Sequence, residues 1–302
     1  MRVLIPGGSG MLGRRLAANL TADGYEVILL SRAPKRVGAL PNGARVERWD
    51  GGTATGWSHL ADGAAAIINL AGENIAGGRW TEERRSKIVQ SRTRAGTAVV
   101  EAVKAATVKP NLVIQASGVG YYGPHGDEAV TERDGSGDDF GAQVCVQWEA
   151  ATAPAEALGV RRVVIRTGVV LSPEALALRR LMLPYRFFVG GRLGSGRQWF
   201  SWIHIADYVA GVRFLMDRPD ASGVFNLSAP GPLPNSDFGQ ALGQAMGRPS
   251  WIPMPAAAMR LLFGEMSSVL LDGQRVVPRR LLDLGFQFRF PTAGLALRDI
   301  MS

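Results

Sequence analysis

The chain has 302 residues, 46% of them hydrophobic and 20% charged, with one cysteine, Cys145. That describes one large α/β domain or a nucleotide domain with a smaller appendage, and it excludes a disordered chain, an intrachain disulfide and a cysteine-built metal site. The net charge of +8 is spread along the chain with only four lysines among 34 cations, which does not read as a nucleic-acid surface, and no apolar stretch nears the ~20 residues of a membrane span.

In chain order, a short apolar run from Arg2 to Pro6 meets the glycine ladder Gly7, Gly10 and Gly13, and a helical stretch runs on to Asp23. A second apolar run, Glu26 to Leu30, ends in Ser31-Arg32. Arg45 to Trp49 is a weaker strand candidate, and Ala64 to Gly72 a buried strand closing in a small-residue turn. Trp80 to Ala106 is a long helical segment, expected to be kinked or split. A strand from Asn111 to Ser117 leads into Gly118 to Gly123, Phe140 to Leu158 is helical, and Arg161 to Thr167 is β-rich. This alternation predicts a doubly wound, Rossmann-like parallel sheet. Residues 1–170 would form the dinucleotide-binding domain. Residues 171–302, richer in Pro and Gly, would form a smaller substrate-side lobe with no linker long enough to free it.

The ladder is the strand-turn-helix arrangement whose backbone N–H groups hold a dinucleotide pyrophosphate. An acidic residue after the second strand would bind a free adenosine ribose; here Ser31 and Arg32 stand in that place. Arginine offers a fork of donors to a phosphate, so the expected cofactor is NADP, used as NADPH. Leu70, Ala71, Ser117 and Gly118 close strands where open parallel sheets bind ligands, so they are expected to line the crevice. No His/Asp/Glu spacing suggests a metal site. One cysteine and no signal-peptide pattern point to a reducing cytoplasm.

Together these segments resemble the extended short-chain dehydrogenase/reductase superfamily. Asn69 to Ile75, Arg79-Trp80 to Ser91-Arg92, Gly120 to Gly123, Trp148-Glu149, Trp202 to Ile205 and Phe263 to Arg275 are similar to an atypical branch of it. These are the epimerase family proteins, with a C-terminal domain of unknown function expected here at about 250–300; some carry the label cell-division inhibitor. The resemblance implies a Rossmann-like fold and NADP binding. It also implies that Ser31 and Arg32 hold the 2′-phosphate, that Gly10, Met11 and Leu12 present N–H groups to the pyrophosphate, and that Leu70 and Ala71 lie along the cofactor. Arg92, with Lys87 and Gln147 as lesser candidates, would reach it from the helices. Homodimer pairing through a long helix follows only by analogy.

The superfamily's usual chemistry needs Tyr and Lys at i and i+4 of one helix, the lysine lowering the phenol's pKa. The matching positions here are Cys145 and Glu149, and Ser117 falls one residue before the usual supporting hydroxyl. Three accounts stay open. In one, the protein is an oxidoreductase or epimerase of a small polar substrate, working through Tyr121, Tyr122 or Cys145, with Glu149 on the ribose. In the second it is a catalytically silent NADP sensor or interaction protein. In the third, which can coexist with the second, Cys145 is only a buried small hydrophobe and Glu149 a surface residue. Arg197, beside the glycine-rich loop 190–197, is a candidate grip for an anionic substrate group. His204 is a candidate base, although its position between a strand and a helix equally suits a cap.

Overall fold

The computed structural model describes residues 1–302. Its centre is a seven-stranded, all-parallel sheet. The first five strands are β1 (Arg2–Pro6), β2 (Glu26–Ser31), β3 (Ala44–Arg48), β4 (Ala66–Asn69) and β5 (Leu112–Gly118). Strands Arg161–Thr167 and Gly223–Leu227 complete it, and the order across the sheet is β3-β2-β1-β4-β5, then these two. The chain therefore works outward from β1 in both directions, and the order reverses between β1 and β4. Val3, Leu4, Ile5, Ile28, Leu29 and Ile67 have no exposed surface, as strands covered on both faces require.

Helices α1 (Met11–Ala22) and Ile205–Met216 cover one face. The other is covered by α2 (Glu82–Ala105) together with Trp49 and Trp57. The long helix α2 runs unbroken for 24 residues, contrary to the expected kink. Thr81 caps it by accepting from the Arg84 N–H, and Glu82 and Glu83 sit in its first turn against the positive end of the dipole. Its internal glycine, Gly96, serves packing instead of bending: a Cβ there would lie 2.5 Å from the Cβ of Ala151, just past helix α3 (Phe140–Ala150).

Beyond residue 171 the chain folds back on what precedes it. Gly223–Leu227 extends the central sheet, Trp202–His204 pairs with Val169–Leu171, and Arg275–Val276 pairs with Ala129–Val130. A third apolar cluster, including Leu178, Tyr185, Trp202, Phe238 and Phe290, consolidates this region. No helix is long and apolar enough to cross a membrane.

Candidate functional site

Two cavities open at the carboxyl edge of the sheet. The larger, a cleft of about 950 Å³, lies over the ends of β1, β2 and β4 and the loop after β3. Its floor is backbone. Gly7 has φ +75°, and a Cβ on it would stand 2.7 Å from the Cα of Ala71; a Cβ on Gly13 would overlap the backbone of Gly8. The turn thus stays thin enough for a ligand to approach, and α1 begins at Gly10 with no side-chain cap, so the N–H groups of Met11, Leu12 and Gly13 await an acceptor. Buried Asn69 sets the opposite wall: its Nδ2 donates to Gln115 Oε1 at 2.9 Å and its Oδ1 accepts from the Ala71 N–H, fixing the Leu70–Ala71 turn.

The far end of the cleft is cationic. Arg32, Lys87 and Arg94 all line it, with Asp50 and Glu73 as the acids. Ser31 donates from Oγ to Ser9 Oγ at 3.3 Å and accepts from the Ala33 N–H, which orders the loop carrying Arg32. The Arg32 guanidinium is largely exposed, 3.9 Å from Glu73. Gly51, at φ +89°, packs against its side chain with no room to spare. Asp50 is held below the usual carboxylate range by hydrogen bonds from the Thr53 hydroxyl and from backbone N–H groups. A backbone floor, an open helix N-terminus and a cationic end fit a dinucleotide that carries an additional phosphate. Ser9, Asp50 and Arg94 were not among the expected residues. Arg94 had a signal: it lies two helical turns, i+7, beyond Lys87 on the same face of α2.

The second cavity, about 350 Å³, lies beyond the ends of β5 and Arg161–Thr167, where Gly118, Cys145 and Thr167 meet Trp148, Trp199 and Leu270. Here the residues expected for the missing dyad come together. Cys145 is buried and donates from Sγ to the Gly118 carbonyl at 3.7 Å; burial pushes its thiol up. One turn on, Glu149 is also buried, and it is paired. Arg166 donates from Nε to Oε1 and from Nη2 to Oε2, both at 2.9 Å, while Ser117 donates its hydroxyl to Oε1 at 2.7 Å. Sequence reasoning missed Arg166. An arginine inside a strand buried on both faces needs a counter-charge, and that requirement was readable. Its guanidinium carbon sits 3.2 Å from the ring centroid of Tyr121, which is half-buried.

Tyr122 stands apart from this cavity. It is fully buried, its hydroxyl donates to Asn226 Oδ1 at 2.7 Å, and burial pushes its phenol up to about 12. Arg92 lies between the two cavities, beneath Gly72, and donates from Nη1 to the carbonyls of Glu73 and Ile88; its guanidinium covers Trp148. Gln147, Arg197 and His204 also line neither cavity. Gln147 points outward from α3, because two residues past Cys145 is the opposite side of a helix. Arg197 is exposed beyond the glycine loop. His204 is buried against Phe290 and caps helix Ile205–Met216, its Nδ1 accepting from the Ala206 N–H at 3.2 Å.

The family model described as the NAD dependent epimerase/dehydratase family matches residues 3–228, and a domain of unknown function matches residues 254–300. The chain belongs to this epimerase/dehydratase family. An epimerase family protein of Staphylococcus aureus is 37% identical over 99% of this chain and 98% of its own length. An Arabidopsis thaliana relative, named an SDR39U1 homolog and chloroplastic, is 36% identical over all of this chain and 87% of its own. The crystal structure of the human epimerase family protein SDR39U1 (isoform 2) with NADPH is 36% identical and superposes with a TM-score of 0.88, covering 100% of this chain and 99% of that one. A UDP-glucuronic acid 4-epimerase from Bacillus cereus, at 16% identity and a TM-score of 0.78, shares the epimerase fold.

Proposed function

We propose that this protein binds NADPH and uses it as an oxidoreductase or epimerase on a small carbonyl or alcohol substrate. The observation that carries this reading is the first cleft, in which an uncapped helix start and Arg32, Lys87 and Arg94 stand at opposite ends of one backbone-lined groove. The human relative crystallised with NADPH supports the same cofactor. Gly7, Gly10, Met11, Leu12 and Gly13 would receive the diphosphate, Ser31 and Arg32 the 2′-phosphate, and Leu70 and Ala71 the remaining length. The bound nicotinamide supplies or accepts hydride.

The chain's own share is to hold the substrate beside Gly118 and the Cys145 thiol and to keep water out. Cys145 is the proton-bearing group at the wall of the second cavity, and its raised pKa keeps the thiol protonated near neutral pH. A developing alkoxide would take that proton, and the thiolate would recover one from solvent only after the product leaves and the cavity opens to it. Tyr122, hydrogen-bonded to Asn226 away from the cavity, is a structural residue in this reading, and Glu149 is the counter-charge of Arg166. The compartment we propose is the cytoplasm.

One observation favours the silent alternative: Glu149 is neutralised by Arg166 and hydrogen-bonded by Ser117, which leaves no unpaired charge where the superfamily keeps its lysine. Titration of nicotinamide fluorescence tests the cofactor assignment. Arg32→Ala is expected to weaken NADPH about tenfold, the equivalent of roughly 1.4 kcal/mol, and to leave NADH nearly unchanged. Equal losses for both would overturn it. Hydride exchange from labelled NADPH that survives Cys145→Ala would remove Cys145 from the chemistry.

A further inference from the structure

The second cavity carries information about the substrate that the family does not supply. Its wall contains three ionisable groups besides Cys145: Arg92, Asp139 and Asp272. Two carboxylates stand against one arginine, and that arginine already spends Nη1 on two backbone carbonyls and its face on Trp148. Burial and the neighbouring Asp139 charge push the Asp272 carboxyl up, while Arg260 pulls it down by less. Arg197, the expected anion grip, lies outside the wall.

Most of the uncharged polar side chains are committed as well, the buried Trp148 indole N–H being without a partner. Gln198 donates to the carbonyls of Leu193 and Leu270, Gln274 to that of Val119, and Ser201 to that of Gln274, while Asn235 accepts from the Leu193 N–H. The indole N–H of Trp199 goes to Asp127 and that of Trp80 to the Ile75 carbonyl. These bonds shape the wall and leave it chiefly apolar towards the cavity. At about 350 Å³ the space sits near the lower end of the ~300–1,000 Å³ range for ligand pockets.

We infer that the second cavity takes an uncharged, compact and largely apolar carbonyl compound with a ring to lay against the tryptophans, and that it rejects nucleoside-diphosphate sugars. A diphosphate would meet two carboxylates set against one arginine, with only Arg92 Nε and the Trp148 indole N–H as buried unpartnered side-chain donors, enough for a single carbonyl oxygen and too few to replace the water around a diphosphate. The inference departs from the small polar substrate expected from the sequence. It rests on the reading above only in naming this cavity as the substrate's place.

Isothermal titration of the full chain, with and without NADPH, would compare 4-methylacetophenone, its anionic analogue 4-acetylbenzoate, and UDP-glucose. The neutral ketone is expected to bind at least tenfold more tightly than the carboxylate, with no binding of UDP-glucose. Asp272→Asn should narrow that gap. A Cβ on Gly120, which lines the cavity, would meet no atom within 4 Å, so Gly120→Leu places its side chain in free space and should abolish ketone binding. Tighter binding of either anion, absence of ketone binding, or a ketone affinity untouched by Gly120→Leu would overturn the inference. Loss of NADPH binding with ketone binding intact would sink the cofactor assignment and spare this one.

Discussion

The cleft over α1 and the cavity beside Cys145 lie along the same edge of one sheet, yet they are made differently. Most of the cleft is built from strand ends and the segments that directly follow them: Gly7 to Gly10 after β1, Ser31 to Ala33 at the end of β2, Trp49 to Thr53 after β3, Leu70 to Glu73 after β4. What remains comes from one face of α2. The cavity draws instead on segments from Ile75 to Gln274, about 200 residues apart, brought together by short pairings such as Arg275–Val276 with Ala129–Val130. The first offers charge and open backbone donors, the second apolar surface over committed hydrogen bonds. A superfold keeps its cofactor site in the local turns of the sheet and varies its chemistry where distant segments meet.

The largest expected effect comes from the pair beneath the second cavity. Glu149→Gln preserves shape and the hydrogen bond from Ser117, but leaves the Arg166 guanidinium, 4% exposed, without its counter-charge. Removing one partner of a buried ion pair costs about 3–5 kcal/mol. Urea denaturation should therefore show a loss of about 3 kcal/mol, much of it recovered in Glu149→Gln/Arg166→Leu. Unchanged stability in the single variant would mean that the floor of the cavity does not depend on this pair. A catalytic role for Glu149 independent of Arg166 would then return to consideration.

Gly13→Ala divides the two regions more sharply. Its methyl group would overlap the Gly8 backbone, so the turn must move, at a cost of about 1–3 kcal/mol in stability. NADPH affinity should fall tenfold or more, because the N–H groups at the start of α1 move with the turn. Binding of 4-methylacetophenone should be retained. Loss of both ligands together would show the two sites to be one cooperative unit.

The same contrast explains what the sequence made legible. Gly7, Gly10, Gly13, Ser31 and Arg32 occupy a 26-residue window, and strand-turn-helix geometry fixes how they meet, so the cleft could be read before folding. The i, i+4 spacing placed Cys145 and Glu149 on one face of α3, and the same periodicity should have turned Gln147 away. Arg166 lay hidden in a strand read only for its apolar residues. Trp199, Leu270 and Asp272 gave no local signal at all, because nothing in a loop's own sequence says which distant strand end it will roof. The unbroken α2 is the remaining lesson: the kink expected there does not occur, and its internal Gly96 answers to Ala151, 55 positions away.

His204 supplies the smallest effect and ties the cavity's side of the molecule to pH. It is 4% exposed and its Nδ1 accepts the Ala206 N–H; Nε2 lies 3.4 Å from Asp299, with Asp207 and Arg289 also acting on the ring. Burial holds its pKa below the ordinary value near 6.5, an effect that the two aspartates offset only in part. Below that value the unfolded chain binds a proton that the folded chain resists, so stability is present above about pH 6.5 and declines as the pH falls through the folded-state pKa. Protonation at Nδ1 would also turn the cap's acceptor into a donor. Thermal melts between pH 7.5 and 5 should therefore fall more steeply for the natural chain than for His204→Asn. Asparagine keeps a capping acceptor without titrating, so parallel slopes would place the acid sensitivity of this region elsewhere, among carboxylates common to both proteins.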